Sequence, residues 1–407
     1  MENQYVILVS PRDNEVQLVK EKGYKIILLR KEISFDEIFD VDIPVEIDLN
    51  DEEAVLEKCL QLTNQLEVIS VFTMNEYRIP LASKISEMLQ LKYQLPYEAS
   101  LRCRNKKMAR QKLNEAGVGE VQYRLVTSDS NLESQLQGMD FPLIVKPSND
   151  SGSKNVYLCK NESEITTAIK HIVKSKKNIV GQTIDSDILI EEFLDGPEFS
   201  IESVTANGQT TIIGITKKLV TPYPLSIEVG HDFPANLNTN EENEIKRLVE
   251  QSLAALDVDF AVTHTEVKLT EKGPRIVEVN ARPGGDEIPH LVKAVTGVDL
   301  KALAFLVTLG KGIDSIDLSS STVPSASIRF LLANKEGKVY FDEQFQSASI
   351  KEQKWYVNDG ESVQRTESNF NRLGYFIVYG DEQSPSCSKA DSVEKELSIT
   401  IKNPLEI

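Results

Sequence analysis

Two short segments that alternate apolar and polar residues, VTHTEVKL (262–269) and RIVEVN (275–280), flank the turn-like stretch TEKGP (270–274). A period of two on either side of a Gly-Pro turn predicts a β-hairpin. A turn centred on Lys272 puts Glu266 opposite Glu278, with Asn280 two positions further along the same face. Like charges directly opposed on a sheet destabilise it. A chain that folds this way therefore needs a cation at that face, and the residues alone leave two open. Lys268 is the counterion if the face is simply solvated. If the face lines a site, a divalent ion between the carboxylates reverses the sign of their interaction, since Mg²⁺ takes oxygen ligands, often one or two carboxylates together with substrate phosphates.

The first hundred residues have a different pattern. YVILVS (5–10), KIILLR (25–30), VEIDL (45–49) and VISVFT (68–73) read as strands, with amphipathic stretches such as NEVQLVKEKG and EEAVLEKCLQL between them. This alternation predicts a mostly parallel α/β sheet. No GxGxxG follows the first strand, which argues against a dinucleotide site. A basic helical run, RCRNKKMARQKLNEAGV (102–118), leads to FPLIVKPSNDSGSKNVYL (141–158), a strand, a small polar loop and another strand. Residues 162–175 read as a helix, and DILIEEFLDGPEFSIESVT (187–205) as two strands joined across Asp195-Gly196-Pro197. TIIGITKKL (211–219) then precedes a Pro-containing loop over 221–239 and a helix over 241–256. From about 311 the chain is strand-rich, with a serine-rich segment at 383–392 that reads as a loop.

A length of 407 residues accommodates two or three domains, each with its own core. A net charge of −18 argues against a sequence-independent hold on nucleic acid or an anionic membrane. It leaves room for a locally basic phosphate pocket. Lys146 ends an apolar strand and is followed by Pro147 and SNDSGSKN, where small residues let backbone N–H groups approach an anion. A Lys-Pro strand exit is also common without any ligand, and Lys106 at a helix start is equally ambiguous alone. The loop contains no GxxxxGK[ST]. Cys59, Cys103, Cys159 and Cys387 lie far apart with no CxxC, which suggests neither a zinc site nor a disulfide framework and fits a reducing compartment. There is no basic leader and no run near the roughly 18 apolar residues of a membrane span. The expectation is a cytoplasmic protein without nucleic-acid or membrane partners.

Lys106, Lys146 with its loop, IEEFLDGPE and the Glu…Glu-x-Asn hairpin, in that order, resemble the ATP-grasp superfamily over roughly residues 1–310. The resemblance implies an α/β (α+β) fold: an N-terminal parallel α/β domain (1–100), then two α+β subdomains that clasp the nucleotide. These are a small or lid subdomain (101–190) and a C-terminal subdomain (191–407) with a strand-rich extension from about 311. It also implies ATP and Mg²⁺, with Mn²⁺ as an alternative ion. Lys106 and Lys146 then contact the α- and β-phosphates under the loop residues Ser151, Gly152 and Ser153. Glu191, Glu192, Phe193 and Leu194 hold adenine largely by backbone groups, and Glu198 binds the ribose hydroxyls. Glu266, Glu278 and Asn280 become metal ligands, and Arg282 meets the substrate carboxylate and the charge building up on it. With Gly152 its single glycine, SNDSGSKN departs from the more glycine-rich loops of many members.

The segment KKLVTPYPLSIEVGHDFPAN (217–236) carries Glu228 and His231. EVGH-x-x-P followed by NARPGG resembles the L-amino-acid ligase branch, dipeptide synthetases of the bacilysin-pathway type; a lone surface-loop histidine is the plain alternative. The resemblance implies that Glu228 holds the ammonium group of a bound amino acid and that His231 touches its carboxylate or the reaction intermediate. The implied reaction joins two L-amino acids through an acyl phosphate, releasing ADP and phosphate. It needs no enzyme nucleophile, which agrees with the lack of a Ser/His/Asp or Cys/His pattern. Glu228, Asp232, Asp286 and Glu287 are more acid than metal binding requires, so a basic substrate side chain, arginine or lysine, is expected. An ATP-grasp ligase for another carboxylate or amine, such as a purine-pathway intermediate, and a non-catalytic nucleotide-binding module stay open. The expected partners are amino acids and ATP. A homodimer is compatible, as many relatives dimerise through the N-terminal sheet region. Of the other histidines, His264 falls on the metal-facing side of the hairpin, His171 on a helix surface, and His290 in packing or a pocket wall.

Overall fold

In the computed structural model, which describes residues 3–402 except 13, 153, 224, 313, 315–322 and 342–346, the first apolar runs form β1 (Gln4–Val9) and β2 (Lys25–Arg30). Both of their faces are buried: Ile7, Val9, Ile27 and Leu29 on one side, Val6, Leu8, Ile26 and Leu28 on the other. That is the signature of a parallel sheet covered twice. With β3 (Ile43–Glu46) and β4 (Glu67–Phe72) it runs in the order β3-β2-β1-β4, all parallel. One face takes the helices Glu52–Thr63 and Ile79–Met88 through Val55, Cys59, Leu81 and Ile85. The other packs on helix Leu300–Val307, whose Phe305 is fully buried against Tyr24 and Phe72. The N-terminal unit is thereby joined to the far end of the chain.

A second sheet contains β5 (Tyr123–Val126), β6 (Leu143–Pro147), β7 (Tyr157–Cys159) and β8 (Ile188–Glu192), in the order β5-β8-β6-β7. Helix Glu162–Ile172, capped by the Asn161 side chain, covers it with Ile165, Ala168, Ile169 and Ile172, the spacing of a single helical stripe.

The largest sheet has eight strands: β9 (Glu198–Ala206), β10 (Gln209–Val220), β11 (Glu228–Phe233), β12 (Ala261–Thr270), β13 (Gly273–Asn280), β14 (Ala326–Leu331), β16 (Ile350–Trp355) and β18 (Gly374–Tyr379), the last two numbered in chain order with β15 (Gly337–Phe341), β17 (Ser362–Val363) and β19 (Ile399–Lys402) of a small three-stranded sheet. The order β13-β12-β9-β10-β11-β14-β18-β16 is antiparallel throughout. Helix Thr239–Ala255 buries Ile245, Leu248, Val249 and Leu253 against its apolar face. Leu113 of helix Lys106–Glu115 joins the same cluster, so this helix packs on the large sheet rather than on the sheet of segment 101–190.

Two sequence expectations are corrected. The loop over 221–239 contains β11, because EVGHDF, short and followed by Pro234, is held by partners on both sides, β10 and β14. The serine-rich stretch 383–392 is largely helix Ser386–Glu396, which follows Pro385. Its residues are modest helix formers, and burial of Ala390 and Val393 stabilises it. Among the described residues, no helix is long and apolar enough to cross a membrane.

The chain passes from the second sheet to the large one at Asp195-Gly196-Pro197. Gly196 has φ +139, and a Cβ there would stand 2.1 Å from the Leu269 carbonyl oxygen. Both backbones would have to move. Gly196→Ala is expected to lower unfolding free energy by about 2–3 kcal/mol in urea titrations; a change within 0.5 kcal/mol on the same order-of-magnitude scale would show that the crossing is not tightly packed.

Candidate active site

Alternation along β9 turns Phe199 and Ile201 into the apolar core and leaves Glu198, Ser200 and Glu202 on the opposite face. Strand register then assembles the site across the sheet. Glu266 pairs with Glu278 on one side and Ser200 on the other, and His264 pairs with Glu202. Lys268, Glu198, Lys218 and His231 form one transverse row over four strands. Between this polar face and the second sheet lies a cleft of about 480 Å³. Ile144, Val156, Phe193, Val220 and Val277 give it apolar walls, and Lys106, Lys146 and Lys154 line it as well.

Lys218 is the electrostatic centre of the face. Its Nζ lies 2.7 Å from Glu198, 3.0 Å from Glu228 and 3.2 Å from Glu266, with the side chain 3% exposed. Burial opposes its charge, but the three carboxylates outweigh that and hold its pKa well above the ordinary lysine value. Burial likewise raises the carboxyls, yet Lys218 brings Glu228 down to about 2 and holds Glu266 well below the usual range. Glu278, the other half of the opposed pair, is met by Lys106 at 3.1 Å. Lys268, the counterion suggested by sequence, sits 3.6 Å from Glu198 instead.

The Lys106 ammonium also donates to the Asp150 carbonyl at 2.8 Å, tying the helix start to the small-residue loop. Within that loop Gly152 has φ +72, and the Ser151 hydroxyl donates to Tyr77 Oη at 2.8 Å. Ser153 lies outside the described residues. Lys146 and Glu191 form a 2.5 Å ion pair, and Arg110 Nε meets the other Glu191 oxygen at 2.6 Å. Glu192, Phe193 and Leu194 follow along the cleft wall.

At the far end, Arg282 Nε donates to Glu76 of the N-terminal domain at 2.6 Å. The Asn280 amide, oriented as its neighbours require, donates to Glu278 at 3.0 Å and to Glu76 at 3.3 Å. His264 Nδ1 is 2.5 Å from Glu202, whose other oxygen accepts from the Gly284 N–H at 3.1 Å. Burial pushes the His264 imidazole down, but Glu202 and Glu266 lift it to about 9. His231 is fully buried with neither ring nitrogen hydrogen-bonded, and burial pushes it down to about 3. Potential ligand atoms of His231, Glu228 and Asp286 all lie within 4.8 Å of one another.

The structure thus brings the described candidate residues of the sequence reading to one cleft and its end. His171 packs beside Tyr157, and His290 lies 3.0 Å from Tyr379 Oη, both away from it. Sequence reasoning missed Lys218, Glu202, Glu76 and Arg110. For Lys218 a signal existed: in ITKKLV the adjacent lysines must point to opposite faces, so one of them enters the site. Glu202 shares the phase of Glu198. Glu76 and Arg110 carry no local mark.

Glu191 supplies a stability test. Its carboxyl is pushed up by burial but brought down to about 2 by Arg110 and Lys146. A depressed folded pKa stabilises fully above the unfolded value near 4.5 and loses that contribution as pH falls toward 2. Glu191→Gln leaves two buried cations uncompensated and is expected to cost about 3–5 kcal/mol at pH 7, a penalty that shrinks on acidification below pH about 4. Urea unfolding at several pH values checks both; a pH-independent difference would contradict this.

The profile of the ATP-grasp domain family matches residues 139–289. The chain is 28% identical to protein y4rH of Sinorhizobium fredii over 85% of its own length and 70% of that protein's. It is 27% identical to alanine–anticapsin ligase of Bacillus subtilis over 65% of this chain, an alignment that spans only 59% of that relative. Its fold matches the crystal structure of an L-amino acid ligase from Bacillus licheniformis with a TM-score of 0.81 and 22% identity, covering 99% of this chain and 100% of the other. Residues 139–289 are thus an ATP-grasp domain, and the overall fold is that of the ATP-grasp proteins.

Proposed function

We propose that the protein is an ATP-dependent carboxylate–amine ligase that joins two L-amino acids into a dipeptide. The observation that carries this reading is the continuity of the two halves of the site. The face bearing Glu266 and Glu278 runs, through Lys218, into a polar group of Glu228, His231 and Asp286, in which both ring nitrogens of His231 are left to bond a ligand. The similarity to alanine–anticapsin ligase favours amino acids over other acids and amines.

In this reading ATP lies in the cleft. Lys106 and Lys146 hold its α- and β-phosphates, with Ser151 and Gly152 close above. Glu191, Glu192, Phe193 and Leu194 border adenine, and Glu198 takes the ribose hydroxyls. Glu266 and Glu278, together with Asn280 once its amide turns over to present its oxygen instead of its nitrogen, would form an oxygen-donor set suited to a hard cation, since two opposed carboxylates now neutralised by separate lysines gain from a shared divalent charge. Mg²⁺, or Mn²⁺, supplies charge neutralisation on the transferring phosphoryl group when bound.

The terminal phosphoryl group of ATP passes to a carboxylate oxygen of the first amino acid, giving an acyl phosphate and ADP. The amine of the second attacks the carbonyl carbon, and the tetrahedral adduct collapses with loss of phosphate. Glu228 holds an ammonium group. Arg282 stabilises the negative oxygen on the reacting carbon, a contact whose loss typically costs on the order of 10²–10³ in rate. His231, held neutral by burial, can donate one hydrogen bond and accept another without adding charge.

The expected basic substrate side chain loses part of its support. Glu228 faces Lys218 at 3.0 Å, Asp232 faces Arg329 at 2.8 Å, and Asp286 faces Arg372 at 2.8 Å. Three of the four acids therefore already face a cation of the chain, and Glu287 is the one on which a basic substrate side chain would still rest.

Incubation with ATP, Mg²⁺ and mixed amino acids, followed by mass spectrometry, should show dipeptides, and phosphate release should require both a carboxylate and an amine. Tight ATP binding without turnover would favour the non-catalytic module, and turnover with other acids the alternative ligase. Glu278→Gln is expected to reduce turnover by at least about 10²-fold while leaving the fold intact; wild-type rates in that variant would show the metal face to be misplaced.

A further inference from the structure

The C-terminal extension reaches back to the amino-acid end of the site. The stretch between β17 and β18 passes beside β11 and β14, and its Arg372 side chain is only 4% exposed. Arg372 Nε donates to the Asn369 carbonyl at 2.7 Å, and Nη2 donates to Asp286 at 2.8 Å. The guanidinium carbon lies 3.9 Å from the centre of the Phe330 ring. Each contact leads to a different member of the pocket. Asn369 Oδ1 accepts from the Glu228 N–H at 2.9 Å, Phe330 meets His231 edge-on at 5.7 Å, and Asp286 is itself a member.

We infer that Arg372 is a positioning residue for the amino-acid substrates, fixing Glu228, His231 and Asp286 relative to one another from a segment outside the matched domain. The inference rests on the ligase reading given above. Its physical basis is that Glu228 and His231 share β11, whereas Asp286 lies in the connection between β13 and helix Ile288–Thr296 and has to be brought to them from there. Asp286 and Glu287 are both left-handed, φ 50 and φ 63, a conformation that residues with side chains adopt rarely and keep only when held. The ion pair to Arg372 holds the first of them. The Glu228 and Asp286 carboxylates repel each other, and a fixed cation beside Asp286 keeps both in place. A planar guanidinium serves three directions at once, by two donors and a stacked face; an ammonium group cannot. Asn369 relays the same constraint to the backbone of Glu228.

The test uses the full-length protein and the variants Arg372→Met, Arg372→Lys and Asn369→Ala. Steady-state ligation gives KM for ATP and for each amino acid, equilibrium binding of MgADP reports the nucleotide cleft, and thermal unfolding reports the fold. Arg372→Met is expected to raise the amino-acid KM at least about tenfold, with KM for ATP and MgADP affinity within about twofold. Arg372→Lys should unfold near the wild-type temperature yet still raise the amino-acid KM. Asn369→Ala should shift it in the same direction by less. A purely structural strut would move ATP and amino-acid parameters together, and that result, or an unmoved amino-acid KM in folded Arg372→Lys, overturns the proposal while leaving the ligase reading intact. Wild-type protein that binds MgADP but ligates no amino-acid pair refutes the reading, and the positioning role with it.

Discussion

Sheet register crowds Glu198, Glu228, Glu266 and Glu278 onto one face, and two lysines hold them there, Lys218 from the same sheet and Lys106 from a helix packed on it. At about 4 Å, two like charges in a partly screened interior repel by roughly 4 kcal/mol, so an uncompensated face would not form. Lys218 alone answers three of the carboxylates, which is why it is buried and firmly charged. Lys106 answers the fourth and simultaneously pins the loop at Asp150. The acidic face is thus neutralised by side chains of the chain itself. A divalent cation between Glu266 and Glu278 would take over part of this duty and leave Lys106 free for phosphate.

The remaining architecture serves to keep that face in register with its surroundings. The N-terminal sheet is doubly buried, and its second face closes on helix Leu300–Val307. That docking carries Glu76 across to Arg282, so the arginine proposed to meet the reacting acyl group is held by a carboxylate 206 residues before it in the chain. At the cleft, the Arg110–Glu191–Lys146 group links a helix packed on the large sheet to two strands of the second sheet. The subdomains are therefore joined by charge as well as by the chain crossing at Gly196.

Much of this could be read from the sequence where the information is local. The hairpin pairing of Glu266 with Glu278 followed from a period of two and the position of one turn, and the structure has that register. The parallel sheet was visible because strand-like apolar runs alternate with amphipathic helical stretches along the first hundred residues. What escaped was non-local. ITKKLV showed a strand, but nothing in it told which neighbours Lys218 would meet. Glu76, Glu202 and Arg110 needed the tertiary arrangement to acquire partners. β11 was hidden because its pairing energy comes from strands on either side rather than from its own residues. Helix Ser386–Glu396 was hidden by weak propensity, which burial of Ala390 and Val393 overrides.

The eight-stranded sheet does not stop where the matched domain ends. β11 lies between β10 and β14, and Asp232 bonds Ser327, a residue 95 positions downstream. During synthesis from the N-terminus, β11 must wait at an open edge until that later segment leaves the ribosome. Pairing across such a separation is slow because the connecting loop must first be closed. The elements of the proposed nucleotide cleft can therefore assemble on a nascent chain well before the proposed amino-acid pocket does, so on that reading a truncated product lacking the extension would be poised to take up ATP with nowhere to seat an acceptor.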